Sequence, residues 1–446
     1  MSKVFLIAGL GFGDEGKGSI TDYLARVHGA DVVVRYNGGA QAAHNVIALD
    51  GRHHTFSQFG SGTFVPGCKT HLSRFMVVNP IFMQAEEQHL RQINVPDAFD
   101  RMTIERDALV TNPFQVSLNR IREMARAAHE RTGEGRHGSC GMGIGETMRD
   151  FLANPEDALR IGDLEDHIVM RSKLQHSRER KFHEACDLIR DVPISPAIQQ
   201  EFEILQDATL VGFCAREYNL FSQQIKIVDA SYLSDLLTRE ATAVFEGAQG
   251  VLLDENWGFY PYTTWSTTTF KNADELLRGT DCDVTKIGIL RAYHTRHGAG
   301  PFPTEDAEMS RELVEAHNSS GHVYQQGFRV GPFDGMLLKY ALDVVGHVDE
   351  IAMTHLDRVP GKNRICTRYE NGHARMTRML TSAPDCSPEH IQLRDQEELG
   401  RLIGAMKPVY ETADNQDLLH YVEEEAQCPI RICSYGPKAS DKRVRG

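Results

Sequence analysis

The chain has no long apolar run: nowhere in it do the roughly 20 consecutive apolar residues needed to cross a bilayer occur. It is also short of positive charge. Lys and Arg number 48 against 62 Asp and Glu, a formal net charge of −14, and an acidic surface repels polyanions. Nucleic acid and membrane are therefore set aside as partners, while a local basic site can still hold a phosphate. The nine cysteines are scattered without a CxxC pair, which fits reduced thiols in a cytoplasm better than a disulfide framework. Met1 to Leu10 carry a single Lys and run into a glycine loop that a cleaved leader would remove, so the start reads as mature protein. No internal repeat, low-complexity linker or sharp change of composition divides the chain. The expectation is one large α/β domain over residues 1–446, with helical insertions near 84–131 and 165–220.

What the sequence does have is a βαβ opening. Val4 to Ala8 is a short apolar run ending in glycines, the pattern of a buried parallel strand. Ile20, Leu24 and Val27 follow at helical spacing, and Asp31 to Tyr36 (DVVVRY) supplies the next strand. Further buried-strand candidates are Ala243 to Glu246, Lys286 to Tyr293, Glu350 to His355 and Ile430 to Ser434. Together they predict an α/β fold, P-loop-like, with a large central mostly parallel sheet flanked by helices.

Residues 9–18 read GLGFGDEGKG. Gly11, Gly16 and Lys17 satisfy GxxxxGK, a loop whose backbone amides and lysine meet phosphate oxygens. Gly18 departs from it, because the usual Ser or Thr that ligates Mg²⁺ is missing. Gly11, Gly13 and Gly16 also satisfy GxGxxG, the dinucleotide fingerprint, which expects an acidic residue near the end of the second strand. Asp31 stands at that strand's start, and the strand ends in Arg35-Tyr36-Asn37. A third reading is a tight strand–helix turn that needs glycine only for packing. Asp14 and Glu15 lie where phosphate would approach; carboxylates there point to Mg²⁺ binding or base chemistry beside the phosphates.

Gly13-Asp14-Glu15-Gly16-Lys17-Gly18 resembles the phosphate loop of the adenylosuccinate synthetase family. Further stretches match in the family's order: Val34-Arg35-Tyr36-Asn37-Gly38-Gly39 with His44, Phe245-Glu246-Gly247-Ala248-Gln249-Gly250, Tyr260-Pro261-Tyr262-Thr263-Thr264, Gly298-Ala299-Gly300-Pro301-Phe302-Pro303-Thr304-Glu305, Leu356-Asp357 and Ser434-Tyr435-Gly436-Pro437. The resemblance implies a GTP- and Mg²⁺-dependent ligase that phosphorylates O6 of an oxopurine nucleotide, IMP or an analogue. An amine, aspartate by default, then displaces the phosphate.

By that resemblance Asp14 is the base at N1 and touches Mg²⁺, with the backbone carbonyl of Ala43 as a second metal contact. His44 steadies the transferring phosphoryl group, and Gln249 reads the purine near O6. Gly13, Glu15, Gly16, Lys17 and Gly18 bind GTP phosphates, and Asp357, Ser434 and Gly436 form the guanine side. Gln41, Ser139, Cys140 and Thr264 bind the substrate nucleotide. A homodimer is also implied, although the arginine that the family lends across its interface falls near 154–156, where none stands. Two stretches depart further. In His137-Gly138-Ser139-Cys140-Gly141-Met142-Gly143, Cys140 replaces a threonine and Met142 an arginine. In the amine loop, residues 319–329, the family's arginine-rich run is reduced to Arg329, beside Ser320 and His322. Two carboxylates entering a closed site call for guanidinium clamps, so this loop predicts a less charged or aromatic amine. The alternatives are a GTP-binding protein without turnover and an NAD-dependent oxidoreductase.

Overall fold

In a computed structural model of the chain, residues 1–128, 137–190, 192–313, 327–359, 361, 363–370 and 389–446 are described. A ten-stranded sheet forms the centre. Across it the strands run in the order 442–444, 430–434, 350–354, 282–291, 2–9, 242–246, 32–35, 69–72, 102–105 and 226–228. Every neighbouring pair is parallel except the edge pair formed by Lys442–Val444.

Strand β1 (Ser2–Gly9) lies near the middle because its side chains suit burial on both faces. Val4 and Leu6 enter one apolar cluster, Phe5 and Ile7 another, as expected for a parallel strand covered on both sides. Helix α1 (Lys17–His28) covers the second face with Ile20, Tyr23 and Leu24. It begins after Gly16, whose φ of 89° is left-handed, and stops at Gly29 in the αL conformation. Strand β2 (Val32–Arg35) does not pair with β1, because Thr242–Glu246 lies between them. A third apolar cluster draws on helices Pro80–Gln92, Pro113–Ala128, His167–Leu188 and Thr209–Ser222 together with strand and loop residues such as Phe56, Phe59, Leu72 and Ile104.

Every strand expected from the sequence is present. The strands at 69–72, 102–105, 226–228 and 442–444 had no expectation, and Met102–Glu105 interrupts the stretch 84–131 that reads as helical. Their polar residues hid them. Inside the sheet His71 Nδ1 lies 2.9 Å from Thr103 Oγ1 and its Nε2 3.4 Å from Glu105 Oε1, while Thr70 Oγ1 accepts from the Gly60 amide. Buried polar groups that satisfy one another erase the apolar signature of a strand. Among the described residues no helix is long and apolar enough to cross a membrane.

Candidate functional site

In a parallel sheet, ligands settle outside the carboxyl ends of the strands, where neighbouring connections diverge. Here those ends carry the glycine loop after β1, Tyr36-Asn37-Gly38-Gly39 after β2, Gly247-Ala248-Gln249 after 242–246, and His355 and Asp357 after 350–354. Ser434 closes the last parallel strand. The sequence motifs thus converge on one edge of the sheet although they are spread over the whole chain.

The loop is held from within and from both sides. Glu15 Oε1 accepts the Gly13 amide at 2.7 Å, and Glu15 Oε2 pairs with Lys17 Nζ at 2.6 Å. Both of these side chains are buried. Lys17 also donates to the Gly13 carbonyl. From the strand 350–354, Thr354 Oγ1 donates to the Glu15 carbonyl at 2.7 Å, and Arg291 Nη1 donates to the Asp14 carbonyl at 3.0 Å. A Cβ on Gly250 would sit 2.2 Å from the Gly11 carbonyl, so only glycine lets the two loops touch.

Gly18 has an explanation in the same terms. A Cβ there would lie 2.6 Å from His44 Cβ and 3.2 Å from its backbone carbon. The place of the usual loop hydroxyl is taken by His44. His44 Nδ1 meets Glu246 Oε1 at 2.6 Å, and the Ser61 amide donates to Glu246 Oε2 at 2.9 Å. Burial alone would raise the Glu246 pKa, but His44, Arg35 and Ser61 outweigh it and hold it down at about 2. Burial also pulls the His44 pKa below its ordinary value, with Glu246 opposing. An arriving phosphoryl dianion would favour the charged imidazolium.

Arg35 ends β2 with a fully buried guanidinium, donating to the carbonyls of Ser57 and Phe59 at 3.2 and 3.0 Å. No ribose-binding acid stands there, and the dinucleotide reading ends with it. Asn37 ties the two neighbouring loops by donating to the Ala248 carbonyl at 3.0 Å and accepting its amide at 2.7 Å. Beside this tie lie two amides with buried atoms and no hydrogen-bond partner among the described residues: both polar atoms of Gln41 and Oε1 of Gln249. Gln249 has a left-handed φ of 57°, a cost that a site-directed amide can justify.

The remaining expected residues fall into separate groups. Ser139 Oγ donates to Asn119 Oδ1 at 3.0 Å and accepts the Gly141 amide at 3.2 Å, so its hydroxyl shapes its own loop. Burial pushes the Cys140 thiol up to about 11, which leaves it un-ionised and no nucleophile. Thr264 is held by its amide on the Leu253 carbonyl at 2.8 Å. Ala43 and Asp357 are exposed. Ser434 Oγ donates to the Gly436 carbonyl at 3.0 Å, and the buried Lys442 Nζ donates to the same carbonyl at 3.0 Å. Burial lowers the Lys442 pKa to about 8 against the pull of Asp441, Asp22 and Asp357. Ser19 on α1 reaches the Pro437 carbonyl at 3.1 Å, which joins this group to the glycine loop.

Arg329 pairs through Nη1 with Glu305 at 2.8 Å and donates Nη2 to the Gly300 carbonyl at 3.0 Å, while its buried Nε has no hydrogen-bond partner among the described residues. Arg296 is buried and donates to the carbonyls of Ala299, Pro301 and Tyr262. Ser320 and His322 lie outside the described residues. Sequence reasoning passed over Arg291, His297 and Lys442. Arg291 stood inside a predicted strand, and the others had no local motif.

A family model described as adenylosuccinate synthetase matches residues 6–443. The adenylosuccinate synthetase of a Marinomonas species is 31% identical over 455 aligned residues, covering 100% of this chain and 98% of the relative. The solved structure of fully ligated adenylosuccinate synthetase from Plasmodium falciparum has the same fold, with a TM-score of 0.76 at 21% identity and 100% of both chains covered. A cyanophage S-2L succinoaminodeoxyadenylate synthetase, bound to dGMP and dATP as an energy donor, also superposes, with a TM-score of 0.52 at 16% identity over 100% of this chain and 95% of that one.

Proposed function

Since the chain belongs to the adenylosuccinate synthetase family, a family of GTP-dependent ligases, we propose how its own residues divide that work. An oxopurine carbonyl oxygen is a poor leaving group. Phosphorylating O6 makes it a good one, and an amine then forms the new C6–N bond as phosphate departs. Asp14 takes the N1 proton, so that O6 becomes the nucleophile toward the γ-phosphorus. His44, oriented by Glu246 through its Nδ1, faces the transferring phosphoryl group with Nε2. Gln249 and Gln41 supply amides to the purine nucleotide, and Lys17 and the loop amides hold phosphate. Asp357, Ser434 and Gly436 form the guanine side, and Ser139, Cys140 and Thr264 line the nucleotide's phosphate end.

The observation that carries this reading is the buried, unpartnered oxygen of Gln249 beside the glycine loop. Phosphate binding alone gives no reason to keep a buried amide unsatisfied, whereas a purine edge does. This also weighs against a GTP-binding protein without turnover.

The family generally uses a divalent metal, and the proposed ion here is Mg²⁺. The donor set fits a hard cation: the Asp14 carboxylate, 30% exposed, and a backbone carbonyl at Ala43 are both oxygen donors. No group of three or more His, Cys, Asp or Glu able to hold a metal occurs among the described residues, in keeping with an ion held largely by nucleotide phosphates. Bound there, it would neutralise charge on the transferring phosphoryl group.

A second reading concerns the amine alone. Both arginines beside the amine loop are engaged within the protein, Arg329 by Glu305 and Arg296 by carbonyls. That favours a less charged amine than aspartate, because an unpaired buried carboxylate costs several kcal/mol. Phosphate release measured across GTP or ATP, several oxopurine nucleotides and aspartate, asparagine, glycine, aromatic amino acids or ammonia tests both readings. Saturation by aspartate alone sinks the second, and no GTP-dependent release with any combination sinks the first. The free thiols among the described residues suit the cytoplasm as the place of action, and a homodimer is the proposed assembly.

A further inference from the structure

The carboxylate assigned as base sits on a loop whose backbone is fixed at several points, yet its side chain is about a third exposed. Its Oδ2 lies 3.0 Å from His297 Nε2. His297 ends a short antiparallel ribbon, His294–His297 against Phe328–Gly331, in which it pairs with Phe328. The two rings pack with centroids 4.9 Å apart at 52°. The ribbon in turn is locked to the glycine loop beside Asp14. Arg296, buried and anchored on its carbonyls, stacks over the ring of Phe12 at 4.2 Å. Arg291, just upstream of the ribbon, holds the Asp14 carbonyl.

These contacts make the ribbon a brace. One residue fixes the loop through an aromatic ring, a second fixes the Asp14 backbone, and a third reaches the carboxylate itself. We propose that His297 is a positioning residue for Asp14: its Nε2–H holds Oδ2, so that Oδ1 takes the N1 proton. The proton passes from N1 to Oδ1, and the N–H electron pair remains in the purine, where it strengthens O6 as nucleophile. His297 itself exchanges no proton in this step. The advantage is orientational. An unheld aspartate side chain samples several rotamers, and displacing a reacting group by about 1 Å costs on the order of 10² in rate. The inference rests on the reading of Asp14 as base.

Four proteins test it: His297→Val, His297→Gln, Asp14→Asn, and Asp14→Asn combined with His297→Val. Phosphate release gives kcat and KM, nucleotide binding is measured directly, and thermal melting confirms folding. His297→Val should lower kcat by about 10- to 100-fold and leave KM and binding for both nucleotides within about threefold. His297→Gln, which keeps an N–H at similar reach, should recover most of kcat. In the Asp14→Asn background His297→Val should change nothing further, because the two act through one group. Wild-type kcat in His297→Val, or equal losses in Val and Gln, overturns the positioning role while Asp14→Asn remains inactive. Full turnover in Asp14→Asn overturns the base assignment and this inference with it.

Discussion

Replacing Gly18 with serine would restore the hydroxyl that an ordinary phosphate loop uses for its metal. In this protein the change should instead disable the enzyme. The new Cβ would stand 2.6 Å from His44 Cβ, 3.0 Å from Ser61 Oγ and 3.2 Å from the His44 backbone carbon. Carbon atoms prefer a separation of about 3.5–4.0 Å, so His44 must retreat by about 1 Å. It has little room to do so, since Glu246 holds it at 2.6 Å and Ser61 holds Glu246. Overpacking of this kind costs about 1–3 kcal/mol of stability. For a group proposed to face the transferring phosphoryl, a shift of about 1 Å costs on the order of 10² in kcat. Steady-state phosphate release and denaturant unfolding read the two effects separately. A Gly18→Ser enzyme with kcat within about threefold of wild type and unchanged stability would refute the reasoning.

Four further outcomes are expected at the site. Glu246→Gln should lower kcat by about 10²-fold or more, because His44 loses its charged orienting partner; full activity would remove the pair from the mechanism. His44 and Arg35 hold the Glu246 pKa at about 2, below its ordinary value of 4.5, so its ionised form adds stability above pH 4.5 that is lost as pH falls toward 2. The difference in melting temperature between wild type and Glu246→Gln should shrink across that window, and a constant difference would contradict it. Asp357→Asn should weaken GTP by about tenfold or more and narrow its advantage over ATP, since each charge-assisted bond to guanine is worth about 1.5–3 kcal/mol. Unchanged GTP and ATP constants would move the guanine pocket elsewhere. Cys140→Ser should keep near-normal kcat, because a thiol pushed up to about 11 is not ionised at neutral pH; loss of all turnover would contradict it.

Much of the fold was legible because strands in the middle of the sheet are apolar on both faces, as Val4 to Ala8 and Val32 to Val34 show. The strand containing Thr70 and His71 was not, since its buried polar groups are satisfied by partners on other strands, Thr103 among them. The candidate site divides in the same way. The glycine loop concentrates its chemistry in ten consecutive residues, so spacing marked the place, although it left more than one reading open until the neighbouring motifs were matched. His297, Arg291 and Lys442 reach the site from distant parts of the chain and carry no local signature. Arg329 was legible as a cation but not as a committed one. Its partner Glu305 lies 24 residues away, and only folding brings the two together.

The central claim is that O6 of an oxopurine nucleotide is phosphorylated before an amine replaces it. It is tested most directly with a substrate carrying ¹⁸O at the C6 carbonyl. After turnover with GTP, a divalent metal and the productive amine, the released inorganic phosphate is analysed by mass spectrometry. The account predicts that the label leaves the purine and appears in phosphate, one atom for each C6–N bond formed. Phosphate free of label, whether its fourth oxygen comes from water or the purine keeps its ¹⁸O, would contradict it.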